Sequence, residues 1–284
     1  MNPRLPSLVV TRPEAQAAEW VHRLQALGAS ALALPLLRIE PAEDSADTIR
    51  HCWATLAERR LVMFVSPNAV AQFFALRPPG RDWPALNPTP AGAPAAAPVL
   101  AGATGPGTVA ALRQHGVPEQ AIAAPNADAA TFDAEALWRD ALCGLPWQGA
   151  QVLVVRGDGG RDWLADTLGA AGAQVQMVCA YRQLGPAWRD DESARLDLIL
   201  ARPQAHVWLF SSSQAIGHLV RRIDAVSPDA PVLLGAMGAI TTHPRIAARA
   251  HSAGLGRVAS CAPRPAEVYA ALQEGWPHAS IEWP

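Results

Sequence analysis

The chain alternates between two hydrophobic patterns. Short unbroken apolar runs recur, among them Leu8-Val9-Val10, Leu61-Val62-Met63-Phe64, Val152-Leu153-Val154-Val155 and Val207-Trp208-Leu209-Phe210. Such runs suit strands buried on both faces. Apolar residues then return at helical spacing: Trp20, Leu24 and Leu27 after the first run, and Leu164, Leu168 and Ala171 after the third. Strands alternating with amphipathic helices predict parallel sheets covered by helices on both faces. In such sheets a ligand site lies outside the carboxyl ends of the strands.

The pattern is duplicated. Residues 8–38 lie over residues 152–182 at an offset of 144, without gaps. Each copy has a strand, an arginine at its carboxyl end (Arg12 or Arg156), a helix and a second strand ending at Arg38 or Arg182. The helices stop at Gly28-Ala29 and Gly172-Ala173, where glycine suits a left-handed cap. A shorter pair, residues 61–74 and 206–220, repeats a strand, a Ser-rich turn and an amphipathic helix. A third pairing sets 99–117 on 232–255, each opening on a Val-Leu run and passing through a glycine turn. Two similar doubly wound α/β domains are the prediction. The repeat alone permits either a cut near residue 145 or a discontinuous first domain.

Residues 77–98 break the pattern with seven prolines. Neither a helix nor a central strand sustains that density. An exposed, partly mobile insertion is expected there rather than a domain boundary.

Composition narrows the classes. With 284 residues, 50% hydrophobic and 17% charged, the chain can fill two globular cores. A net charge of −2 gives no general attraction to nucleic acid or anionic membrane. All 23 basic residues are arginines, which excludes lysine Schiff-base chemistry and favours forked binding of carboxylates. Cys52, Cys143, Cys179 and Cys261 form no C-x-x-C pair, and the histidines lack metal-ligand spacing, so no metal is expected. The N-terminus enters a strand-like run by Leu8 without a charged-then-apolar leader, and Pro or Arg interrupts every long apolar stretch. A soluble cytoplasmic protein without a membrane partner is the expectation.

Candidate chemistry gathers at four strand-to-helix junctions: Thr11-Arg12-Pro13, Ser66-Pro67-Asn68, Gly105-Pro106-Gly107-Thr108 and Ser211-Ser212-Ser213. Ser, Thr and Asn cap helices, which accounts for each junction taken alone. Together they offer something more, since helix N-termini carry free N–H groups and the positive dipole end. On facing domains they would line a cleft suited to a ligand with many carboxylates. Arg156-Gly157-Asp158-Gly159-Gly160-Arg161 adds two guanidinium groups beside a glycine turn, but lacks the full Walker and Rossmann spacings. No GxSxG elbow is present. Of the two tyrosines, Tyr269 falls at helical spacing as a packing residue. Tyr181 closes the second strand–helix–strand unit, where a phenol can give or orient a proton.

The ordered set of motifs resembles the uroporphyrinogen-III synthase family. It comprises Val10-Thr11-Arg12-Pro13, Gly28-Ala29 with Leu34-Pro35-Leu36, and Phe64-Val65-Ser66-Pro67-Asn68. Gly105-Pro106-Gly107-Thr108, the glycine-rich run from Arg156 to Arg161, Tyr181-Arg182 and Phe210-Ser211-Ser212-Ser213 follow. The resemblance implies two flavodoxin-like domains joined by a two-segment extended linker. Residues 1–37 with 183–284 would form the first, 41–178 the second, and 38–40 with 179–182 the linker. It implies a cofactor-free hydro-lyase that closes hydroxymethylbilane to uroporphyrinogen III, expelling water and inverting the last pyrrole ring through a spiro intermediate. The small-molecule substrate would be the only partner, and the enzyme a monomer. Tyr181 matches the tyrosine that assists departure of the hydroxyl. Substrate binding falls to Ser66, Asn68, Gly107, Thr108, Ser211, Ser212 and Ser213. Arg12, Arg156 and Arg182 would bind carboxylates or hold the domains together. The last glycine turn, Gly238 to Arg245, departs from the family pattern, leaving open whether Thr241 or Thr242 faces the cleft. The rival class is a non-catalytic cytosolic two-domain binding or sensor protein for a polycarboxylate.

Overall fold

A computed structural model describes residues 5–84 and 98–276. The chain divides into two compact units, one of Met1–Arg38 with Leu184–Pro284 and one of Ile39–Gln183. In chain order the elements begin β1 (Ser7–Val10), α1 (Glu14–Ala26), β2 (Ala31–Ala33), β3 (Arg38–Pro41) and α2 (Ala46–Ala54). There follow β4 (Leu61–Phe64), α3 (Pro67–Ala75), β5 (Leu100–Ala103), α4 (Pro106–Gln114), β6 (Ile122–Ala123) and α5 (Ala134–Leu137). Next are β7 (Gln151–Gly157), α6 (Trp163–Ala170), β8 (Gln174–Leu184), α7 (Asp190–Leu200), β9 (His206–Phe210) and α8 (Ser213–Val226). The last are α9 (Ala230–Ala236), β10 (Gly238–Thr241), α10 (Pro244–Ser252), β11 (Arg257–Ser260) and α11 (Pro265–Gly275).

The first unit holds a five-stranded sheet in the order β2-β1-β9-β10-β11, with parallel pairing throughout. Counted along this unit alone, that is the doubly wound order 2-1-3-4-5. Its central strands β1 and β9 are apolar and buried from their second residue on because both faces are covered. Leu8, Val10, Leu209 and Ile240 pack under α1 and α11, while Val9, Trp208 and Phe210 pack under α7 to α10. Full burial of one such side chain contributes about 1.5–3 kcal/mol.

The second unit has six strands ordered β3-β8-β7-β4-β5-β6. Counting from β7 recovers 2-1-3-4-5, with β3 added beside β8. The strand–helix–strand unit therefore comes first in one unit and last in the other. Val62, Phe64, Leu153 and Val155 face an aromatic cluster of Trp53, Phe73, Phe74 and Trp83. Leu61, Met63, Val152 and Val154 face α5 and α6.

Details of the repeat hold and others shift. Gly28 and Gly172 both take φ of 92° at their helix ends. Trp20, Leu24, Leu164 and Leu168 are buried, but Leu27 is 42% exposed and not a core position. The run opening at Val232 is helix α9, and the strand starts only at Gly238. In the third pairing the structural match therefore begins at Leu100 and Gly238, at an offset of 138. Residues 85–97 of the proline-rich insertion lie outside the described residues. The insertion is not exposed throughout, because Trp83 is buried and its indole N–H donates to the Val99 carbonyl at 3.1 Å.

Candidate active site

The carboxyl end of β4 delivers the chain into Ser66, whose extended backbone (φ −163°) makes it the N-cap of α3. Its Oγ accepts from the Ala69 N–H at 3.2 Å, and Pro67 takes the first helical position, where no N–H is missed. The same Oγ lies 2.8 Å from the Tyr181 hydroxyl. Tyr181, near the end of β8, is only 3% exposed. Burial pushes its phenol pKa up, against smaller opposing effects of the hydrogen bonds to Ser66 and Gln183. The phenol therefore keeps its proton at neutral pH.

The adjoining junction completes this rim. Gly105 caps α4 with extended backbone, Pro106 opens the helix, and Thr108 is buried in its first turn. Gly107 sits against α3, since a β-carbon on it would stand 3.4 Å from the Pro67 ring. Asn68 lies half-buried in the first turn of α3. Ser66, Asn68, Gly107, Thr108 and Tyr181 are thus brought to one end of the sheet by β4, β5 and β8.

The two predicted arginines of this unit are engaged elsewhere. Arg156 is paired with Asp162 and borders a cavity of about 150 Å³ with Met63, Trp163 and Met177. Those neighbours belong to the face of the sheet opposite Tyr181. Arg182 is exposed and pairs with Asp44 at 2.9 Å.

In the first unit, the Thr11 hydroxyl donates to the Leu209 carbonyl at 2.7 Å, fixing β1 to β9. Arg12 stacks over the Trp20 ring at 4.2 Å and donates to Gln16 at 3.5 Å. Its Nε is buried without a partner, and burial lowers its pKa to about 10, with Glu19 acting the other way. A guanidinium so desolvated gains from an incoming carboxylate. Ser212 caps α8 by accepting from the Gln214 N–H at 3.2 Å, with Ser211 half-buried before it and Ser213 exposed after it. Thr241 is fully buried in β10, where its hydroxyl meets the Ala259 carbonyl and the Ser260 hydroxyl. Thr242 is the partly exposed residue at the turn. His243 is the cap of α10, accepting from the Arg245 N–H at 3.1 Å.

Among the described residues, no group of three His, Cys, Asp or Glu is placed to hold a metal ion. Sequence reasoning missed Gln183 beside the phenol, the Trp20 platform under Arg12 and the relation of Gly157 to Tyr181. The first two carry no sequence signal, because a lone Gln and a core-spaced Trp read as ordinary packing.

Two doubly wound units with hydroxyls and helix N-termini at their strand ends, and one buried phenol, define a two-domain flavodoxin-like α/β protein suited to an anionic ligand. Residues 18–268 match the sequence profile of the family described as uroporphyrinogen-III synthase HemD, and the chain belongs to that family. It is 32% identical to the uroporphyrinogen-III synthase of Salmonella typhimurium over 193 residues, 66% of this chain and 69% of that one. The corresponding protein of Escherichia coli is 32% identical over 184 residues, 62% and 65% of the two chains. A crystal structure of a mutant uroporphyrinogen III synthase from the extremely thermophilic bacterium Thermus thermophilus shares the fold. Its TM-score is 0.53 at 16% identity, covering 95% of this chain and 96% of that one.

Proposed function

We propose that the chain closes hydroxymethylbilane to uroporphyrinogen III with Tyr181 as the proton donor. The observation that carries the reading is the buried phenol held by Ser66 at the strand ends of a chain of this family. The closure is a dehydration without net oxidation, so its balance needs no redox partner. The C–O bond of the hydroxymethyl group breaks with its electron pair on oxygen, which takes the phenol proton and leaves as water. The electron-poor methylene carbon is then attacked by the last pyrrole ring at the carbon that already bears its bridge, giving a spiro intermediate. The older bridge bond breaks and re-forms at the ring's other α-carbon, which inverts the ring. The proton lost when that ring regains its aromaticity returns to the phenolate.

The substrate carries eight carboxylates by the chemistry of the family's reaction, and the two rims supply groups of matching kind. Ser66, Asn68, Gly107 and Thr108 serve one, and Arg12, Ser211, Ser212, Ser213 and Thr242 the other. Thr241 spends its hydroxyl inside the sheet, so Thr242 is assigned the binding role at that turn. Arg156 and Arg182, already paired with carboxylates, are assigned to holding their own loops. Fixing a flexible linear chain in one reactive arrangement lowers the barrier chiefly by positioning. The same reading has the chain act as a monomer in the cytoplasm.

The deciding measurement adds the protein to fresh hydroxymethylbilane and resolves the product isomers. Isomer III above the enzyme-free control is expected. Isomer I alone, with the protein still binding substrate, would make it a polycarboxylate binder instead.

A further inference from the structure

We infer that Gly157, together with an irregularity in β8 opposite it, is the device that aims the Tyr181 phenol at Ser66. The inference rests on the reading of Tyr181 as proton donor and adds to it a positioning residue that touches no substrate.

Successive side chains of a strand point to opposite faces. Val178 and Ala180 face the cluster of Phe64 and Phe73, so regular alternation would turn Tyr181 the other way, toward the face of Met177. The register breaks between Arg156 and Gly157: Arg156 pairs with Cys179, and Gly157 with Tyr181. One residue is left over, and Ala180 and Tyr181 enter the same cluster. This is what a bulge does when it re-aims a side chain. Past it, the Asp158 N–H donates to the Tyr181 carbonyl at 3.1 Å, and the Gln183 N–H to the Asp158 carboxylate at 3.1 Å.

The turned ring then needs room. A β-carbon at residue 157 would stand 2.8 Å from Tyr181 Cε2 and 2.9 Å from Cζ, closer than packed atoms come. Gly157 has no left-handed φ, so the requirement is space and not backbone conformation. The other copy of the repeat supports this. Leu34, Leu36 and Leu37, just past the end of β2, also share one cluster, so consecutive side chains turn to the same side there too. At the offset of 144, however, Leu37 stands where Tyr181 stands, and Pro13 where Gly157 stands. The copy without a phenol to seat has no glycine.

The test labels the two tyrosines with ¹³C at the phenol carbon, giving one resonance for Tyr181 and one for Tyr269. In Gly157→Ala the Tyr181 resonance shifts, the Tyr269 resonance stays, and kcat for isomer III falls about 10²-fold with KM little changed. The double variant Gly157→Ala with Tyr181→Phe turns over no more slowly than Tyr181→Phe alone, because both act through one group. An unmoved Tyr181 resonance in folded Gly157→Ala overturns the inference whatever the activity. Additive losses in the double variant overturn it as well. Should Gly157→Ala fail to fold, adding Tyr181→Leu makes room and restores the fold; an unrescued fold counts against the contact. If the wild-type protein forms no isomer III, the proposed function fails, and the resonance alone decides whether Gly157 seats the ring.

Discussion

The two units run through the same strand order and the same turns, yet they end in different chemistry. At the end of β8 stands Tyr181, bonded to the cap residue Ser66; at the equivalent place in the first unit stands Leu37, buried and inert. The cap serine is present in both, as Ser66 and Ser212, and each accepts a backbone N–H of its helix. The arginines differ in the opposite sense. Arg156 has its own carboxylate in Asp162, whereas Arg12 lies on Trp20 with a buried Nε lacking a partner. The duplicated scaffold thus carries a buried phenol in one copy and a guanidinium with an unpartnered Nε in the other.

The largest expected effect lies in the phenol. Tyr181→Phe should lower turnover to isomer III by about 10²–10⁴-fold, the range of a lost general acid. Leu37→Met, a volume-conserving change at the matching place, should leave turnover unchanged and cost under about 1.5 kcal/mol. Equal losses from both would break the asymmetry. The next effect is on stability and should be alike in the two units: Phe64→Ala and Phe210→Ala each cost about 3–5 kcal/mol in urea unfolding, because both rings are fully buried at homologous strand positions.

The arginines come next. Arg12→Gln removes a charged donor worth about 1.5–3 kcal/mol to a bound carboxylate and should raise KM about ten-fold or more. Arg156→Gln should change it much less, because its charge is already met. The cap serines sharpen the comparison further: Ser66→Ala and Ser212→Ala should each cost about 1 kcal/mol, while only Ser66→Ala also lowers kcat.

The smallest effect is a pH dependence. Burial raises Cys261 from an ordinary 9.0 to about 12, with Glu267 adding to it, and raises the Tyr181 phenol above 10.0. A raised folded pKa means that the native state holds its proton longer than the unfolded chain does. The contribution is therefore intact below about pH 9 for Cys261 and below about pH 10 for Tyr181, and is lost as pH rises toward the folded values. Urea midpoints between pH 8 and 11 should fall, less steeply in Cys261→Ala for the first unit and in Tyr181→Phe for the second.

Much of the architecture was legible because strands buried on both faces leave unbroken apolar runs, and because the repeat reads each element twice. The exceptions have physical causes. Val232 to Met237 looks like a strand since short apolar runs suit either structure; Pro231 in the first turn of a helix decided it. Leu27 continues the helical period but falls at the frayed end, where nothing covers it. In the candidate site, the hydroxyl-bearing turns were visible as caps. The partnership of Tyr181 with Ser66 was not, because it spans 115 residues and depends on a register break that no local pattern encodes. Thr241 and Thr242 could be separated only once the start of β10 was fixed.

The different place of the strand–helix–strand unit along the chain in the two units also bears on folding during synthesis. The second unit is contiguous, so its whole sheet is available once residue 183 has emerged. The first unit is not: Ser7 in β1 must wait for His206 in β9 before its central strand gains that neighbour. At about 5–20 residues per second, this leaves β1 and β2 without their sheet for roughly 10–40 s of translation. The second unit, with the phenol and its glycine, is therefore the part of the nascent chain positioned to fold first.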